Sequence, residues 1–270
     1  MPNVEYRCLL NLGSVHFDTG HFDEALAAYG QALAGFETIG DRYAAARALS
    51  NLGNIYYAQG ELHQALANCE KAVVIKQQLG DRQGLAHTEN LRALILLNLG
   101  RANEAREIVE RILSEARDLG ETRAQGTYLD TLLLIGILEG DREAAHAALA
   151  GIAAIPGLAG DARLNGYIEN HRAAFELANG ERAAARATLN EDTPAGAGPE
   201  IRLERELLRG ILLLADGDSA AALRKMEILS DQALRLGYGL YDRYAVRLRE
   251  AGDRGLPVQS ILRHVFILEK

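Results

Sequence analysis

The chain has 270 residues, no tryptophan, five prolines and a net charge of −8. Its longest apolar stretches, 132–138 and 211–215, fall far short of the roughly 20 residues that a membrane span needs, so we expect no membrane insertion. Because the chain is acidic and its basic residues are mostly scattered arginines rather than a clustered patch, we expect no direct binding to nucleic acid.

Glycine recurs every twenty residues along most of the chain. It stands at Gly20, Gly40, Gly60, Gly80, Gly100, Gly120, Gly140, Gly160 and Gly180. Alanine follows every second one by five residues, at Ala25, Ala65, Ala105, Ala145 and Ala185. Such regular spacing indicates a stack of one repeated unit rather than a single globular core. The unit is about forty residues long and contains two segments, each ended by its own glycine.

Each twenty-residue segment is predicted to form one amphipathic helix. Within 41–60, apolar residues recur at three- and four-residue spacing and form one stripe, namely Ala45, Ala48, Leu49, Leu52, Ile55 and Tyr56. A glycine can take the left-handed conformation that ends a helix, and an aspartate after it can cap the next one. This Gly-Asp pair occurs at 40–41, 80–81, 140–141, 160–161 and 217–218. With connections this short, consecutive helices must lie antiparallel.

The predicted fold is therefore all-α, a solenoid of about six to seven antiparallel helix hairpins. Repeats are predicted over 1–189, in units of about 1–40, 41–80, 81–120, 121–160 and 161–189. A segment rich in proline and glycine, 190–199, breaks the spacing and is predicted to be a loop. The spacing returns at Gly217, Ala222 and Gly237, which indicates a sixth repeat over 200–237. Residues 238–270 are predicted to form a pair of helices that caps the stack.

The second unit resembles a tetratricopeptide repeat. Its segment 49–60, LSNLGNIYYAQG, and the following Ala65 carry the small and large residues of that pattern. Gly53 and Ala65 are small where two helices of a hairpin are expected to cross closely. The resemblance weakens later in the chain, because Arg92 and Arg172 stand where the second unit has Leu52.

The forty-residue spacing resembles the long variant of this repeat found in kinesin light chains, in cell-polarity adaptors and in the arms of bacterial signalling regulators. The resemblance implies a right-handed superhelix in which the first helix of each pair lines the concave side. It places a set of residues in that groove, which we predict to bind a peptide: Arg7, Asn11, Ser14, Phe17, Arg47, Ser50, Asn51, Asn54, Tyr57, His87, Asn90 and Leu94.

These residue types suit the capture of an extended chain. An asparagine amide can accept a hydrogen bond from a backbone N–H and donate one to a C=O, which holds a peptide without reading its sequence. Arg7 and Arg47, one repeat apart, could pair with an acidic side chain or a carboxyl terminus. The alternative is that these asparagines are ordinary solvated residues of a helix surface.

Equivalent positions in later repeats make the predicted groove more apolar in its middle. Among them are Asp130, Thr131, Leu134, Tyr167, Asn170 and His171. Four apolar residues on this face are predicted either to form an exposed strip for a partner or to be covered by the chain's own superhelix. They are Leu94, Leu97, Leu134 and Ile137.

The sequence contains no motif that indicates catalysis. Its seven histidines lack metal-ligand spacing, and it has no Walker loop, dinucleotide fingerprint or nucleophile elbow, so we predict no enzymatic activity and no cofactor. The N-terminal segment has Glu5 and Arg7 where a secretory signal would be apolar, which favours a cytoplasmic protein. Cys8 and Cys69 are expected to be reduced and to pack as small apolar side chains.

The leading functional prediction is a non-enzymatic adaptor or scaffold that binds a partner protein or peptide in the concave groove. One alternative is the sensor arm of a bacterial transcription or signalling regulator. Such arms normally follow a DNA-binding or nucleotide-binding domain, and here the first repeat begins close to Met1. A natural gene that starts at this Met would favour the free adaptor, and a longer reading frame upstream would favour the sensor arm. Another alternative is a self-assembling structural module, which would make the protein a homo-oligomer.

Overall fold

The computed structural model describes residues 2–193 and 196–268, and in that part the chain forms helices and no strands, which confirms the all-α prediction. Positions 194–195 of the predicted loop 190–199 lie outside the described residues. So do position 1 of the predicted first repeat and positions 269–270 of the predicted C-terminal pair. The helices are α1 (Pro2–Asp18), α2 (Phe22–Ile39), α3 (Arg42–Ala58), α4 (Leu62–Leu79), α5 (Arg82–Asn98), α6 (Ala102–Asp118), α7 (Thr122–Glu139), α8 (Arg142–Ala153), α9 (Ala162–Ala178), α10 (Arg182–Asn190), α11 (Pro199–Ala215), α12 (Ser219–Arg235), α13 (Gly239–Asp253) and α14 (Val258–Phe266).

The five predicted aspartate caps are confirmed. Each accepts a hydrogen bond at 3.0 Å from the backbone N–H three residues later, and they are Asp41, Asp81, Asp141, Asp161 and Asp218. The glycine spacing fails once, since Gly160 lies in a short 3-10 helix and Gly157 takes the left-handed conformation, with φ +83°. The cause is Pro156: the residue before a proline is disfavoured in a helix, so α8 ends early, at Ala153.

The alanines that follow every second glycine lie where paired helices cross. Each is at most 1 % exposed, and they are Ala25, Ala65, Ala105, Ala145 and Ala185. The partner helices bring small residues to the same crossings: a Cβ added to Gly53 would lie 2.8 Å from the Cys69 sulfur. The close crossing predicted from Gly53 and Ala65 is therefore confirmed. Consecutive helices pack in this way along the chain and form a helical solenoid of about seven pairs.

Two kinds of side chain depart from the repeat pattern. Arg92 is partly buried and contacts Glu89, with Nε–Oε2 at 3.1 Å, whereas Arg172 is exposed, so long polar side chains reach past the packing seam. The prediction that both cysteines pack as apolar side chains is right for Cys69 and wrong for Cys8, which is exposed. The reason is that α2 and α3 pack against α1 and leave its Cys8 face uncovered.

The last helix pair packs across the concave face, rather than only at the end of the stack. α13 contacts α3 as well as its neighbours, and α14 contacts α7, α9 and α11. The turn that leads into α13 reaches the first two repeats: the rings of Phe22 and Tyr238 lie 4.9 Å apart at 77°. Gly239 approaches the α3–α4 loop so closely that a Cβ there would lie 2.4 Å from the Gln59 carbonyl oxygen.

Three hydrogen bonds attach this C-terminal pair to helices in the middle of the solenoid. Leu268 N–H donates to the Asn98 carbonyl at 2.7 Å, Gln259 Nε2 donates to the Ile137 carbonyl at 2.6 Å, and the Tyr244 hydroxyl donates to Asn98 Oδ1. The predicted apolar strip is covered as a result, with Leu97, Leu134 and Ile137 buried and Leu94 partly buried. Of the two alternatives for that strip, coverage by the chain itself is the one observed.

Across the described ranges, no helix combines the length and the apolar character that crossing a bilayer requires.

Candidate functional site

A cavity of about 230 Å³ lies between the concave face of the repeats and the C-terminal helix pair. It is lined by Phe266 of α14 and by residues on or next to the first helix of each pair, namely α1, α3, α5, α7, α9, α11 and α13. This volume is smaller than the roughly 300 to 1,000 Å³ of the pockets that take drug-sized ligands. We call it the central cavity.

His171 is the charged centre of this cavity. Its Nδ1 lies 2.8 Å from Asp130 Oδ1, and its Nε2 lies 3.5 Å from Glu204 Oε1. Burial alone would lower the pKa of the imidazole, but the two carboxylates outweigh burial and raise this pKa well above its usual value. The protonated form of His171, held between α7 and α11, is therefore favoured. Asn170 supports the arrangement by donating to Glu204 Oε2 at 3.0 Å.

A second ion pair lies at one edge of the cavity. Arg163 Nη2 lies 2.8 Å from Glu200 Oε1, and the Tyr238 hydroxyl donates to Glu200 Oε2 at 3.2 Å. Glu200 is buried whereas Arg163 is exposed, so the guanidinium faces solvent. This pair connects α9, α11 and the start of α13.

Behind the cavity wall, Arg205 is 1 % exposed and fully engaged. It donates to Asn170 Oδ1 at 3.0 Å, to the Glu191 carbonyl at 2.7 Å and to Glu169 Oε2 at 2.7 Å. Because Glu169 balances its charge, Arg205 fixes Asn170 without adding a free positive charge to the cavity.

Five tyrosines line the cavity: Tyr57, Tyr167, Tyr238, Tyr241 and Tyr244. The rings of Tyr241 and Tyr244 lie 5.6 Å apart, edge to face at 86°. Burial, followed by the charge of Glu204, raises the pKa of Tyr241 well above the ordinary phenol value. Burial and the negative charge of Glu204 therefore both favour the neutral form of the Tyr241 phenol.

The structure brings five of the predicted groove residues to this cavity, namely Phe17, Asn54, Tyr57, Asn90 and Leu94. Several of them already have partners in the chain. Asn54 Nδ2 donates to the Ser50 carbonyl at 3.2 Å, and Asn90 Oδ1 accepts from Thr131 at 3.0 Å. Tyr57 accepts from Asn98 at 3.3 Å. These residues lie beneath the C-terminal pair, away from the open surface.

Five other predicted residues lie outside the cavity. Arg7, Asn11, Arg47 and His87 are exposed, and Asn51 is partly buried. Arg7 makes only a distant ion pair, with Nη2 3.8 Å from Asp41. Desolvation by the surrounding protein, followed by the charges of Lys76, Arg123 and Arg163, lowers the pKa of the His87 imidazole. We call Arg7, Asn11, Arg47, Asn51 and His87 the basic rim.

Two predicted residues form hydrogen bonds within the repeats. Ser14 donates to the Leu10 carbonyl at 3.2 Å and accepts from the Tyr29 hydroxyl at 3.0 Å. Ser50 is buried and accepts a hydrogen bond from Lys76 Nζ at 2.8 Å. Neither hydroxyl is available to a partner, because hairpin packing takes up both.

Sequence reasoning did not identify the acidic side of the cavity. Glu200 and Glu204 lie four residues apart on α11 among buried apolar residues, and this spacing on an apolar face was the available signal. Over the described chain, no group of three or more histidine, cysteine or acidic side chains is placed to hold a metal ion.

The N-terminal part of the chain matches a family model. Residues 5–78 and 44–118 each match the tetratricopeptide repeat. Among solved structures, the chain is similar to a tetratricopeptide repeat protein from Parabacteroides merdae ATCC 43184, at 16 % identity and a TM-score of 0.40, over 95 % of this chain and 99 % of that one. No protein with a curated function matches the chain.

Proposed function

Because residues 5–118 of this chain belong to the tetratricopeptide repeat family, we propose that the protein is a non-enzymatic adaptor that binds an acidic segment of a partner protein along the basic rim. Repeats of this family generally mediate contacts between proteins and generally act as scaffolds. The identity of the rim as the binding surface is our own inference from the geometry.

The observation that carries this proposal is the repetition of exposed basic side chains on the first helices. Arg7 and Arg47 occupy equivalent positions one repeat apart, and the Arg7 side chain is 65 % exposed. His87 occupies the same position in the third repeat. Burial, followed by the charges of Lys76, Arg123 and Arg163, lowers its pKa, and these three cations add positive charge near the rim. A segment rich in aspartate or glutamate would meet complementary charge along this line.

The C-terminal helix pair limits where such a partner can lie. On α3, Arg47, Asn51, Asn54 and Ala58 form one face at helical spacing. Ala58 and Asn54 line the central cavity, while Arg47 remains exposed. A peptide therefore has access to the N-terminal halves of the first helices, where an asparagine can bind its backbone and an arginine its carboxylates.

A displayed library of random peptides tests this proposal. Peptides selected on the wild-type protein should be enriched in aspartate and glutamate. Their affinity, measured by fluorescence anisotropy, should fall by tenfold or more in an Arg7→Glu/Arg47→Glu double variant, since a tenfold change corresponds to about 1.4 kcal/mol. The matched control is Arg117→Glu/Arg182→Glu, which reverses two exposed arginines on second helices.

Two results would contradict the proposal. The first is a selected set without excess acidic residues. The second is equal loss of affinity in both double variants, because net charge rather than the rim would then explain binding.

Self-association is a second candidate function, favoured by one surface. Val4, Leu12 and Val15 are 58 %, 47 % and 59 % exposed, and their spacing places them on one face of α1 with Cys8. Exposed apolar faces of this kind often bind another protein surface. Sedimentation velocity over a range of concentrations should show association that Leu12→Glu abolishes; a single monomeric species at every concentration would exclude this function.

A further inference from the structure

Counted in their ionised forms, the side chains of the central cavity carry one more negative charge than positive. Asp130, Glu200 and Glu204 face two cations, Arg163 and His171. Arg163 neutralises Glu200, so the single charge of His171 is divided between Asp130 and Glu204. An uncompensated charge in a buried site costs free energy, and the cavity is therefore suited to a ligand with one positive charge.

Two polar groups that line the cavity make no hydrogen bond to any described residue. Asp130, 7 % exposed, uses Oδ1 for His171, and its Oδ2 has no protein donor. The hydroxyl of Tyr241, also 7 % exposed, makes no hydrogen bond. Both oxygens are therefore open to a hydrogen-bond donor that enters the cavity. Burial raises the pKa of Asp130 against the opposing effect of His171, so a cation bound beside Asp130 would favour its charged form.

The remaining walls specify the rest of the ligand. Tyrosine rings attract cations through their π faces, and five tyrosines line this cavity together with leucines of α5 and α7. A volume of about 230 Å³ leaves room for a compact apolar body beside a charged group. We infer that the central cavity binds a small organic cation, a protonated or quaternary amine on a compact apolar body.

This inference goes beyond the proposed adaptor function, because the cavity and the basic rim are different surfaces. Asp130 belongs to α7 of the repeats, and Tyr241 belongs to α13 of the C-terminal pair. A ligand that contacts both would join the pair to the concave face and would stabilise the covered arrangement.

Isothermal titration with three probes of nearly equal size tests the inference. Phenethylamine is a cation at neutral pH, 2-phenylethanol is its neutral analogue, and phenylacetate is an anion. We expect saturable binding of phenethylamine, with an affinity at least tenfold higher than that of the alcohol, and no binding of the carboxylate. Equal or tighter binding of the alcohol or the carboxylate would overturn the inference, as would the lack of saturable binding by all three. This comparison uses the wild-type chain, so it does not depend on a variant that folds.

A pair of variants on α11 then locates the site. Glu204→Gln removes the excess charge and retains an oxygen that can accept from Asn170, so the affinity for phenethylamine should fall at least tenfold and the preference over the alcohol should disappear. Glu206→Gln is the matched control, because Glu206 pairs with Lys225 and Arg209 outside the cavity. Unchanged binding in Glu204→Gln, or equal losses in both variants, would place the ligand elsewhere. Loss of peptide binding through the basic rim is not expected in either variant, which separates this inference from the adaptor function.

Discussion

The backbone N–H of Leu268 donates to the backbone carbonyl of Asn98 at 2.7 Å, and so joins the end of the last helix pair to the end of α5. Asn98 is the meeting point of this closure. Its side chain donates to Tyr57 at 3.3 Å and accepts from Tyr244 of α13. One residue of the third repeat therefore holds the C-terminal pair through both its backbone and its side chain.

Replacing this side chain should loosen the closure. Asn98→Ala leaves the buried Tyr244 hydroxyl without its acceptor, and an unsatisfied buried polar group costs about 1 to 3 kcal/mol, so the free energy of unfolding should fall by that amount. Urea denaturation measures the change. A Tyr244→Phe/Asn98→Ala double variant should lose less than the sum of the two single variants, because the two residues share one interaction. Additive losses would show that this bond does not hold the pair.

A contrast between two glycines tests the packing of the hairpins. A Cβ on Gly136 would lie 2.9 Å from the backbone nitrogen of Ala145, which cannot move aside easily, so Gly136→Ala should destabilise the protein by about 1 to 3 kcal/mol. Gly30, in α2, has no atom within 4 Å of the added Cβ, so Gly30→Ala should stabilise by about 0.5 to 1 kcal/mol through helix propensity. Thermal and urea unfolding of both variants measure these changes. A neutral or stabilising Gly136→Ala would show that α7 and α8 are not packed as described.

The buried lysine of the second repeat predicts a pH dependence. Lys76 Nζ donates to the Ser50 and Thr88 hydroxyls and to the Gly84 carbonyl, at 2.7 to 3.1 Å. Burial lowers its pKa from 10.5 to about 8. Between these two values the unfolded chain holds a proton that the folded chain has released, so this residue makes the free energy of unfolding rise with pH in that window.

Lys76→Met isolates the effect. The difference in unfolding free energy between the wild type and the variant, followed by urea denaturation from pH 8 to 10.5, should shift in favour of the wild type as pH rises. Taking the difference cancels the titration of the tyrosines. A difference that does not change with pH would show that the ammonium is as stable in the fold as in water.

The histidine of the central cavity should remain a cation at neutral pH. Burial disfavours the charged form of His171, but Asp130 and Glu204 outweigh it and raise its pKa well above 6.5. Nitrogen-15 NMR should therefore show a protonated imidazole for His171 and a neutral one for His87, whose pKa is lowered. The corresponding stability is complete below pH 6.5 and is lost as pH rises through the folded pKa. A neutral His171 at pH 7 would show that Asp130 and Glu204 do not outweigh burial, and the excess negative charge of the cavity would then be two rather than one.

Local sequence features predicted the helices and their crossings well, for a physical reason. An aspartate cap such as Asp41 and a small residue such as Gly53 contact residues of the same helix hairpin. Their regular spacing in the sequence therefore predicts where the helices begin and cross. The failure at Gly160 is also local, because Pro156 ends the preceding helix early.

The covering of the groove could not be predicted in the same way. α13 contacts α3 across most of the chain length, and no local pattern states which distant face an apolar helix will cover. Asp130 and His171 were correctly placed on the inner face by the repeat spacing, and they meet at 2.8 Å. Glu204 and Tyr241 were missed, because the loop after α10 breaks the spacing that would have placed them.

The close approach of Gly239 to Gln59 has a consequence for how this chain can change length. An open solenoid tolerates the gain or loss of a repeat, since each unit contacts only its neighbours. Here an extra hairpin between the second repeat and the last pair would displace Gly239 from the α3–α4 loop and Phe22 from Tyr238. Contacts between the two ends therefore fix the number of repeats. Such a chain can vary by substitution within its existing repeats but not by duplication of a repeat.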